Sequence, residues 1–524
     1  MARIGKRWWY ALGLLPVGLL TFPAGAQTQR AKPVVTAAAQ VTDDPNPVRA
    51  HSSPQIAANP KTGELVIAET DVYQPGPVAI HVSADDGRSW FDGGSPILEP
   101  YTWTSDFAIN GPYATMTFDR DGILYLAFSA TDPRHAALNR SKRPRSIFLA
   151  TSSDSGRTWR TGVVFEAPQD DEKLLDNRRP MVAVDPSDSR YVYVGWMQPG
   201  VGSGAGVVAA SADGGKTFGK PVVLGEETRR HYQPRIAVDG SGVLHAVFPS
   251  GEFTPDNPPV RPAWYRRSSD HGKTWSPARV IEPGSALFFH GRKHLLAADP
   301  NSNTLHFIWY GSAKERPGPQ DDNDIFVRVS TDGGKSWSDR RTVNDDAHLV
   351  NVQHYDPGIA VAPTGRVDVA WYDFRNSPTP ETLPEKFEAP FNVGGYQDVY
   401  YSSSSNRGRT WRENIRISDR LIDRNVGVWS NNVHSHYNVG IASTADSVYF
   451  VWQDSRNGNS VNNVEDVYFA ALKLNGSIEV TPTSGVPPWM LLGAGFGVGL
   501  ALAIGAVLLF ARRQMQPAPG RVPG

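Results

Sequence analysis

Short apolar runs separated by polar turns make up most of the chain between residues 50 and 475. The recurring unit is a strand of the type Pro-x-Ile-Ala-Val, then a turn, then a second apolar strand, as in Pro234–Val238 followed by Val243–Phe248. Such runs predict strands, and no convincing amphipathic helix interrupts them. The unit occurs seven times, beginning at Pro54, Pro112, Pro180, Pro234, His294, Pro357 and Val439. Seven copies of roughly 60 residues leave room for four short strands each, which predicts an all-β protein.

A polar octet, Ser-x-Asp-x-Gly-x-Ser/Thr-Trp/Phe, follows the third strand of most copies. The Asp side chain accepts hydrogen bonds from the backbone of its own turn, and the Gly adopts a positive φ, so the octet predicts a hairpin turn. An aromatic residue then starts the next strand. The octets are Ser83–Trp90, Ser152–Trp159, Ser211–Phe218, Ser268–Trp275, Ser330–Trp337 and, with Asn406 in place of Asp, Ser404–Trp411. Repetition at the spacing of one blade predicts a β-propeller.

The octets resemble the Asp-box, or BNR, repeat of the sialidase-like β-propellers over about residues 50–475. The resemblance implies that the boxes are structural and lie at the blade periphery, away from any active site. Seven strand copies against six octets favour seven blades, with six as the alternative because family sialidases typically have six. The seventh copy keeps its third strand, Asp466–Ala470, but has no octet. We expect the run Val34–Val41 to supply the missing outer strand and close the ring.

The two ends of the chain predict where the propeller lies in the cell. Residues 1–26 have a basic start, an apolar run and a small-residue cleavage site, which predicts a signal peptide, with an uncleaved anchor as the alternative. Residues 27–50 form an extension with the closing strand, and 51–475 form the propeller. A stalk at 476–488 precedes an uncharged apolar run at 489–511, long enough for a transmembrane helix, and a tail at 512–524 beginning with two arginines. These arginines predict a single-pass cell-membrane protein with an extracellular propeller and a cytoplasmic C-terminus.

Composition narrows the function classes. The net charge is −1, so nothing favours nucleic-acid binding, and no nucleic-acid partner is expected. The chain has no cysteine, which excludes thiol catalysis, disulfides and Cys metal sites. The 49 glycines and 42 prolines fit a protein dense in turns.

Two columns of polar residues precede the first strands, where they are expected to face a shared central funnel. Such a column lines a wet channel or, alternatively, forms a ligand site where several strands converge. Two residues before each unit stand Ser52, Asn110, Arg178, Tyr232, Arg292, Tyr355 and Tyr437. Three residues before each unit stand His51, Ile109, Asn177, His231, Gly291, His354 and His436.

The sialidase resemblance assigns roles to part of these columns. Arg178-Arg179-Pro180 is similar to the family's Arg-Ile-Pro motif, and Asp373-x-Arg375 and Asp454-x-Arg456 are similar to its Glu-x-Arg strand end. The family's arginines bind the substrate carboxylate, a tyrosine is the nucleophile and an aspartate the acid/base. The implied catalytic candidates are Tyr232, Tyr355, Tyr437, Asp373 and Asp454. The implied substrate-binding candidates are Arg178, Arg292, Arg375, Arg456, His231, His354 and His436.

The chain departs from the family pattern in ways that keep a second interpretation open. Blade 1 has Ser52-Ser53-Pro54 where the family has its arginine, and no glutamate partner for the tyrosine is identified. The Asp-x-Arg-Asn runs also fit a turn-stabilising ion pair. The resemblance therefore implies either an exo-α-sialidase-type glycoside hydrolase acting on terminal acidic sugars, or a non-catalytic propeller that binds a glycan or protein at the cell surface.

The histidines of the second column raise a metal alternative. His51, His231, His354 and His436 share one register, and neutral imidazoles bind transition metals. Opposite ligands across a seven-bladed channel would be too far apart for metal bonds, and His354 with His436 is the more plausible pair. Histidines hydrogen-bonded within the funnel are the favoured interpretation. Neither a metal nor any other cofactor is expected.

Overall fold

The structure is a computed structural model that describes residues 33–71, 78–96, 102–103, 114–131, 144–168, 177–198, 205–225, 233–249, 262–283, 294–311, 323–346, 352–377, 395–427 and 439–475. Every regular element in these residues is a β-strand, and they form seven antiparallel sheets. This confirms the all-β prediction and seven blades rather than six.

The first four blades follow the chain in order, and within blades 1, 3 and 4 each strand pairs with the next. Blade 1 contains β3 (His51–Ala58), β4 (Leu65–Asp71), β5 (Ala79–Ser83) and β6 (Phe91–Asp92), and blade 2 contains β7 (Thr102–Trp103), β8 (Thr115–Phe118), β9 (Leu124–Thr131), β10 (Arg145–Ser152) and β11 (Arg160–Phe165). Blade 3 contains β12 (Arg178–Val184), β13 (Val192–Gln198), β14 (Ala205–Ser211) and β15 (Val222–Val223), and blade 4 contains β16 (Arg235–Val238), β17 (Leu244–Pro249), β18 (Ala263–Ser268) and β19 (Arg279–Glu282). In blade 2 both β7 and β8 pair with β9.

Blades 5 and 6 repeat this order, and blade 7 combines the two ends of the propeller. Blade 5 contains β20 (His294–Ala298), β21 (Leu305–Gly311), β22 (Asp324–Ser330) and β23 (Arg341–Thr342), and blade 6 contains β24 (His354–Val361), β25 (Val367–Asp373), β26 (Tyr396–Ser404), β27 (Ile415–Arg416) and β28 (Ile422–Asp423). Blade 7 contains β29 (Gly440–Ser443), β30 (Ser447–Asp454) and β31 (Asp466–Lys473), joined by β1 (Val34–Val35) and β2 (Ala39–Gln40). In blade 6, β28 pairs with β26 beside β27.

The N-terminal strands close the ring. Val34 lies opposite Lys473 and Ala39 lies opposite Phe469, so β1 and β2 both pair with β31 on the edge where an outer strand is missing. Arg49 then binds Asp466 at 2.8 Å. The first strand of every blade contacts the first strand of the next, including β29 with β3. The run at 34–41 thus occupies the position that the sequence analysis assigns to it.

The hydrophobic core lies between blades rather than in one central mass. Seven clusters of buried apolar residues each draw on two neighbouring blades. Large aromatic residues fill the same position on four second strands, where Trp196, Trp309, Trp371 and Trp452 have no exposed surface. Each blade is therefore stabilised mainly by burial against its neighbours.

All six octets form the same hydrogen-bonded turn. In blade 5, Ser330 Oγ donates to Asp332 and accepts from the Gly334 N–H, each at 2.8 Å. The N–H and hydroxyl of Ser336 donate to the two oxygens of Asp332 at 2.9 and 2.6 Å. Gly334 has φ +76°, and a Cβ there would lie 1.7 Å from the Tyr265 hydroxyl oxygen, so only glycine fits. Asn406 makes the equivalent bonds in blade 6.

The membrane and secretion predictions concern other parts of the chain. Within the described residues, no helix has the length and apolar character needed to cross a membrane. The predicted signal peptide, stalk and transmembrane run all lie outside those residues.

Candidate functional site

β-Bulges of one type interrupt the first strands of three blades, at the propeller face where these strands begin. In blade 3, Arg178 lies opposite Met197 but Met181 lies opposite Gly195, so one extra residue is inserted on β12. The residue before each proline adopts a positive φ: 55° at Ser53, 57° at Arg179 and 54° at Asp356. Non-glycine residues rarely adopt this conformation, and bulges of this kind redirect side chains beside binding sites.

Two arginines from adjacent blades are buried at this face. Arg179 and Arg235 are 3% and 5% exposed. Gln233 Nε2 donates to the Arg179 carbonyl at 2.8 Å, and Arg235 Nη1 lies 3.2 Å from Met181 Sδ. Burial and the charge of Arg179 together lower the pKa of Arg235 to about 9. Each guanidinium group makes the positive charge of the other less favourable. An anion bound beside the pair would therefore be stabilised.

Arg178 begins β12 next to Arg179 and is partly exposed. Its neighbour Asn177 is fully buried and ties the strand to its blade, because Asn177 Oδ1 accepts from Trp196 Nε1 at 2.9 Å and from Gln198 Nε2 at 3.2 Å. These hydrogen bonds therefore fix the position of the residue that precedes the bulge.

Tyr355 lies in the packed interface between blades 5 and 6. Its ring meets Tyr310 edge-on at 5.2 Å and Phe374 edge-on at 5.7 Å. The hydroxyl donates to Gln353 Oε1 at 3.0 Å. Burial raises the pKa of Tyr355 to about 12, so the hydroxyl keeps its proton at neutral pH. A nucleophilic phenolate is unfavourable in this environment.

Asp373 and Arg375 bind each other at the end of β25. Arg375 Nη2 lies 2.9 Å from Asp373 Oδ2, and the Arg375 N–H donates to Oδ1 at 2.9 Å. Trp371 Nε1 also donates to Oδ2 at 2.9 Å. The guanidinium stacks over the Tyr400 ring at 4.3 Å. These contacts match the interpretation of the Asp-x-Arg run as a turn-stabilising ion pair.

Blade 7 repeats this arrangement with Asp454 and Arg456. Arg456 Nη2 lies 2.7 Å from Asp454 Oδ2, and Trp452 Nε1 donates to the same oxygen at 3.1 Å. The Arg456 guanidinium stacks over the Tyr468 ring at 4.0 Å. Recurrence of one set of contacts in two blades is typical of a structural element of the repeat.

His354 is a buried, fully hydrogen-bonded histidine. Its Nδ1 bonds the Asn323 carbonyl, and its Nε2 lies 3.0 Å from Asp346 and 3.4 Å from Asp373. Burial opposes the charged ring, but Asp373 and Asp346 outweigh it and raise the pKa of His354 to about 10. His354 is therefore an imidazolium that holds two carboxylates together.

The remaining predicted site residues, His231, Tyr232, Arg292, His436 and Tyr437, lie outside the described residues. The structure adds Arg179, Arg235 and Asp356, to which the sequence analysis assigned no substrate-binding or catalytic role. Arg179 and Asp356 share one signal, a charged residue directly before the proline of the repeat. The residues directly before the first position of each repeat unit form a third column. In the three blades with bulges, the residue of this column is the one with positive φ.

Two cavities border the described residues, and neither is lined by Arg178, Arg179 or Arg235. One of about 680 Å³ lies between blades 2 and 3, beside Tyr125 and the octet of blade 3. The other, of about 500 Å³, lies along blade 1. Residues 169–176 and 226–232, which precede Arg178 and Arg235 in the sequence, lie outside the described residues.

Comparisons with known proteins find partial or distant similarities. No family model matches it. A sialidase of Micromonospora viridifaciens is 30% identical over 208 residues, which cover 36% of this chain and 30% of that protein. The match thus spans under a third of the relative's length.

Solved structures align with this chain at low sequence identity. A Penicillium chrysogenum α-L-arabinanase complexed with arabinobiose has 15% identity and a TM-score of 0.43, covering 65% of this chain and 94% of its own. A Hadza microbial sialidase has 13% identity and a TM-score of 0.41, covering 78% and 76%.

Proposed function

We propose that this chain is a glycan-acting, sialidase-like propeller of the exo-α-sialidase type, with its ligand site at the face where the first strands begin. The observation that carries the proposal is the buried pair Arg179 and Arg235, in adjacent blades, with Arg178 beside them. Terminal acidic sugars carry a carboxylate, and guanidinium groups bind carboxylates through paired hydrogen bonds. The partial match to a sialidase supports the same substrate class. In this proposal the octets are the Asp-boxes of the family.

The contacts redistribute the catalytic roles that the resemblance implies. Tyr355 is packed and protonated, so Tyr232 and Tyr437 become the nucleophile candidates. Asp373 and Asp454 are engaged by Arg375 and Arg456, so these four residues position the strand ends. Asp356, buried at the tip of the blade 6 bulge, becomes the acid/base candidate. The reaction would follow the tyrosine route of retaining sialidases.

The test is hydrolysis of a fluorogenic sialoside by the full-length protein, together with calorimetric titration of free sialic acid. Arg179→Asn keeps a residue that tolerates the positive φ, and Arg235→Gln keeps the side-chain length. Each should weaken binding by about 1.5–3 kcal/mol, the range for a hydrogen bond to a charged group. Arg190→Ala is the matched control, because Arg190 is 71% exposed and lies at the opposite face.

The outcomes separate the two functional classes. Binding without hydrolysis indicates the non-catalytic, glycan-binding alternative. If Arg179→Asn and Arg235→Gln bind sialic acid as the wild type does, the arginines are structural and the proposed site is wrong.

We also propose that residues 489–511 anchor the propeller at the outer face of the cell membrane. The uncharged apolar run followed by Arg512 and Arg513 supports this topology. Protease added to intact cells should release the propeller while the C-terminal tail stays protected. Cleavage of the tail with a protected propeller would mean the reverse orientation.

A further inference from the structure

Blades 1 and 6 contain equivalent sets of one histidine and two aspartates. His51 begins β3 and His354 begins β24, and each lies opposite an aspartate that ends the next strand, Asp71 or Asp373. The third member comes from the segment that leads into the blade, Asp44 in blade 1 and Asp346 in blade 6. In each set the nitrogen and oxygen atoms lie within 4.8 Å of one another.

In blade 6 an arginine contacts both aspartates of this set. Arg375 Nη2 lies 2.9 Å from Asp373 Oδ2 and 3.1 Å from Asp346 Oδ1, between the two carboxylates. His354 Nε2 bonds Asp346 at 3.0 Å. In blade 6 the two carboxylates are thus connected by the side chain of Arg375, two residues after Asp373.

Blade 1 has no arginine at the corresponding position. Two residues after Asp71 the chain has Tyr73, which is outside the described residues and neutral at pH 7. Arg49 is nearby, but its Nε and Nη2 bind Asp466 at 2.8 and 3.0 Å, and its Nη1 donates to the Asn46 carbonyl. The guanidinium is therefore committed to Asp466 rather than placed between Asp44 and Asp71.

The histidine of blade 1 is oriented as metal-binding histidines are. His51 is 7% exposed, and its Nδ1 lies 3.1 Å from Glu69 Oε2. Its Nε2 makes no hydrogen bond within the described part of the chain and lies 3.8 Å from Asp44 Oδ2. A carboxylate on one ring nitrogen fixes the ring and directs the other nitrogen at a metal.

We propose that Asp44, His51 and Asp71 bind a divalent transition-metal ion, with Zn²⁺ as the reference ion and water completing the coordination. One imidazole with two carboxylates suits Zn²⁺, whereas Ca²⁺ and Mg²⁺ select oxygen ligands alone. With bonds of about 2.1 Å, tetrahedral ligand atoms lie about 3.4 Å apart, so the observed 3.8 Å needs only a small movement. The Asp44 side chain is 31% exposed and has room for that movement.

The cavity along blade 1 gives the ion a route of entry. It has a volume of about 500 Å³ and is lined by Asp44, His51, Glu69, His81 and Asp92, among others. A water ligand has space on this side. The ion would join the segment after β2, which completes blade 7, to the first two strands of blade 1. In a chain without cysteine it would reinforce the seam of the ring, where metal binding adds to the free energy of folding.

The experiment uses full-length protein freed of any affinity tag and stripped with EDTA. Zn²⁺ is titrated by calorimetry, bound metal is counted after gel filtration, and Co²⁺ is added separately for its visible absorption spectrum. We expect one ion per chain, a Co²⁺ spectrum of a four- or five-coordinate nitrogen and oxygen site, and a higher melting temperature with metal bound.

Two variants and one control test the site. Asp44→Asn, isosteric at a half-exposed position, should lower Zn²⁺ affinity about tenfold or more, and Glu69→Gln should lower it by about 10–100-fold through the orientation of His51. Asp92→Asn is the control, because its side chain lines the same cavity and is 91% exposed, and it should bind as the wild type does.

Each other result overturns the proposal. Those results are no retained Zn²⁺ in the wild type, equal affinity in wild type and Asp44→Asn, equal loss in Asp44→Asn and Asp92→Asn, or displacement of Zn²⁺ by equimolar Ca²⁺. If Asp44→Asn melts early even without metal, His51→Gln replaces it in the comparison.

Discussion

His354 makes a contribution to stability that depends on pH between its unfolded and folded pKa values. Its folded pKa, about 10, lies above its usual 6.5 because Asp373 and Asp346 outweigh the effect of burial. A raised histidine pKa contributes stability in full below pH 6.5, and that stability is lost as the pH rises towards 10. The pKa of Asp373 is lowered, so its contribution is lost only in strong acid. Blade 6 is therefore most stable in mildly acidic solution.

We predict that the melting temperature of the wild-type protein falls between pH 7 and pH 10, and that His354→Gln makes this fall shallower. In the metal-free protein the residual slope reflects His51, whose pKa is raised to about 9 because Glu69 outweighs burial. His306→Gln is the control, because burial lowers the pKa of His306 to about 4 and it does not titrate in this window. Equal slopes in wild type and His354→Gln would contradict the assignment.

Tyr355→Phe separates a packing role from a catalytic one. The ring contacts with Tyr310 and Phe374 are kept, and one hydrogen bond to Gln353 is lost. We predict a stability loss of about 0.5–1.5 kcal/mol in denaturant titration and unchanged sialoside turnover. Turnover abolished by Tyr355→Phe but kept by Tyr232→Phe and Tyr437→Phe would return the nucleophile to Tyr355.

The sequence predicted which strands begin at the candidate site but not which side chains are buried there. A polar column two residues before each repeat unit drew attention to Arg178, which the structure places next to the buried Arg179. Arg179 and Asp356 received no substrate-binding or catalytic role from the sequence because a residue before proline normally favours an extended conformation. Only the pairing with the second strand reveals that a bulge puts them at positive φ. Such long-range pairing leaves no local periodicity in the sequence.

The octet turn is the element most completely determined by local sequence. Its serine, aspartate and glycine bond within eight residues, so the turn was predictable without knowing its neighbours. The outer strands β6, β15, β23 and β27 are only two residues long, and an alternating pattern has no length in which to show itself.

Asp332→Ala should destabilise the propeller without affecting ligand binding. It removes three hydrogen bonds to a carboxylate in blade 5, and leaving their donors unpaired should cost about 1–3 kcal/mol. The measurement is a thermal melt beside a sialic acid titration. Asn406→Asp, which restores the common octet in blade 6, is the matched variant and should melt no earlier than the wild type. An unchanged melt for Asp332→Ala would mean that the turn is held by its neighbours.

Ring closure belongs to the molecule as a whole. β1 and β2 give blade 7 its outer strands, and Val41 packs into the cluster shared by blades 7 and 1. Seven blades and their closure followed from counting seven strand units against six octets. The candidate site did not follow in the same way, because Arg179 and Arg235 come from different blades and only the packing of those blades brings them together.

Deleting residues 33–41 should lower the melting temperature by several degrees or prevent folding, because the edge of β31 is then unpaired. A point substitution tests the same seam. Val41→Asp places a charge at a position that is 6% exposed, whereas Val48→Asp, at a position that is 56% exposed, is its control. Equal melts for the deletion variant and the wild type would show that the seam is held elsewhere.

The pairing of β1 and β2 with β31 also sets the order in which the chain can fold during synthesis. Thr36 bonds Ala471, its partner 435 residues further on. At synthesis rates of about 5–20 residues per second, β1 waits roughly 20–90 s before β31 exists. During that interval the first six blades have time to assemble, while β1 and β2 have no partner strand to pair with. The last strand pairing of the propeller is therefore between its first strands and its last strand. Any factor that protects nascent chains would be needed longest at β1 and β2.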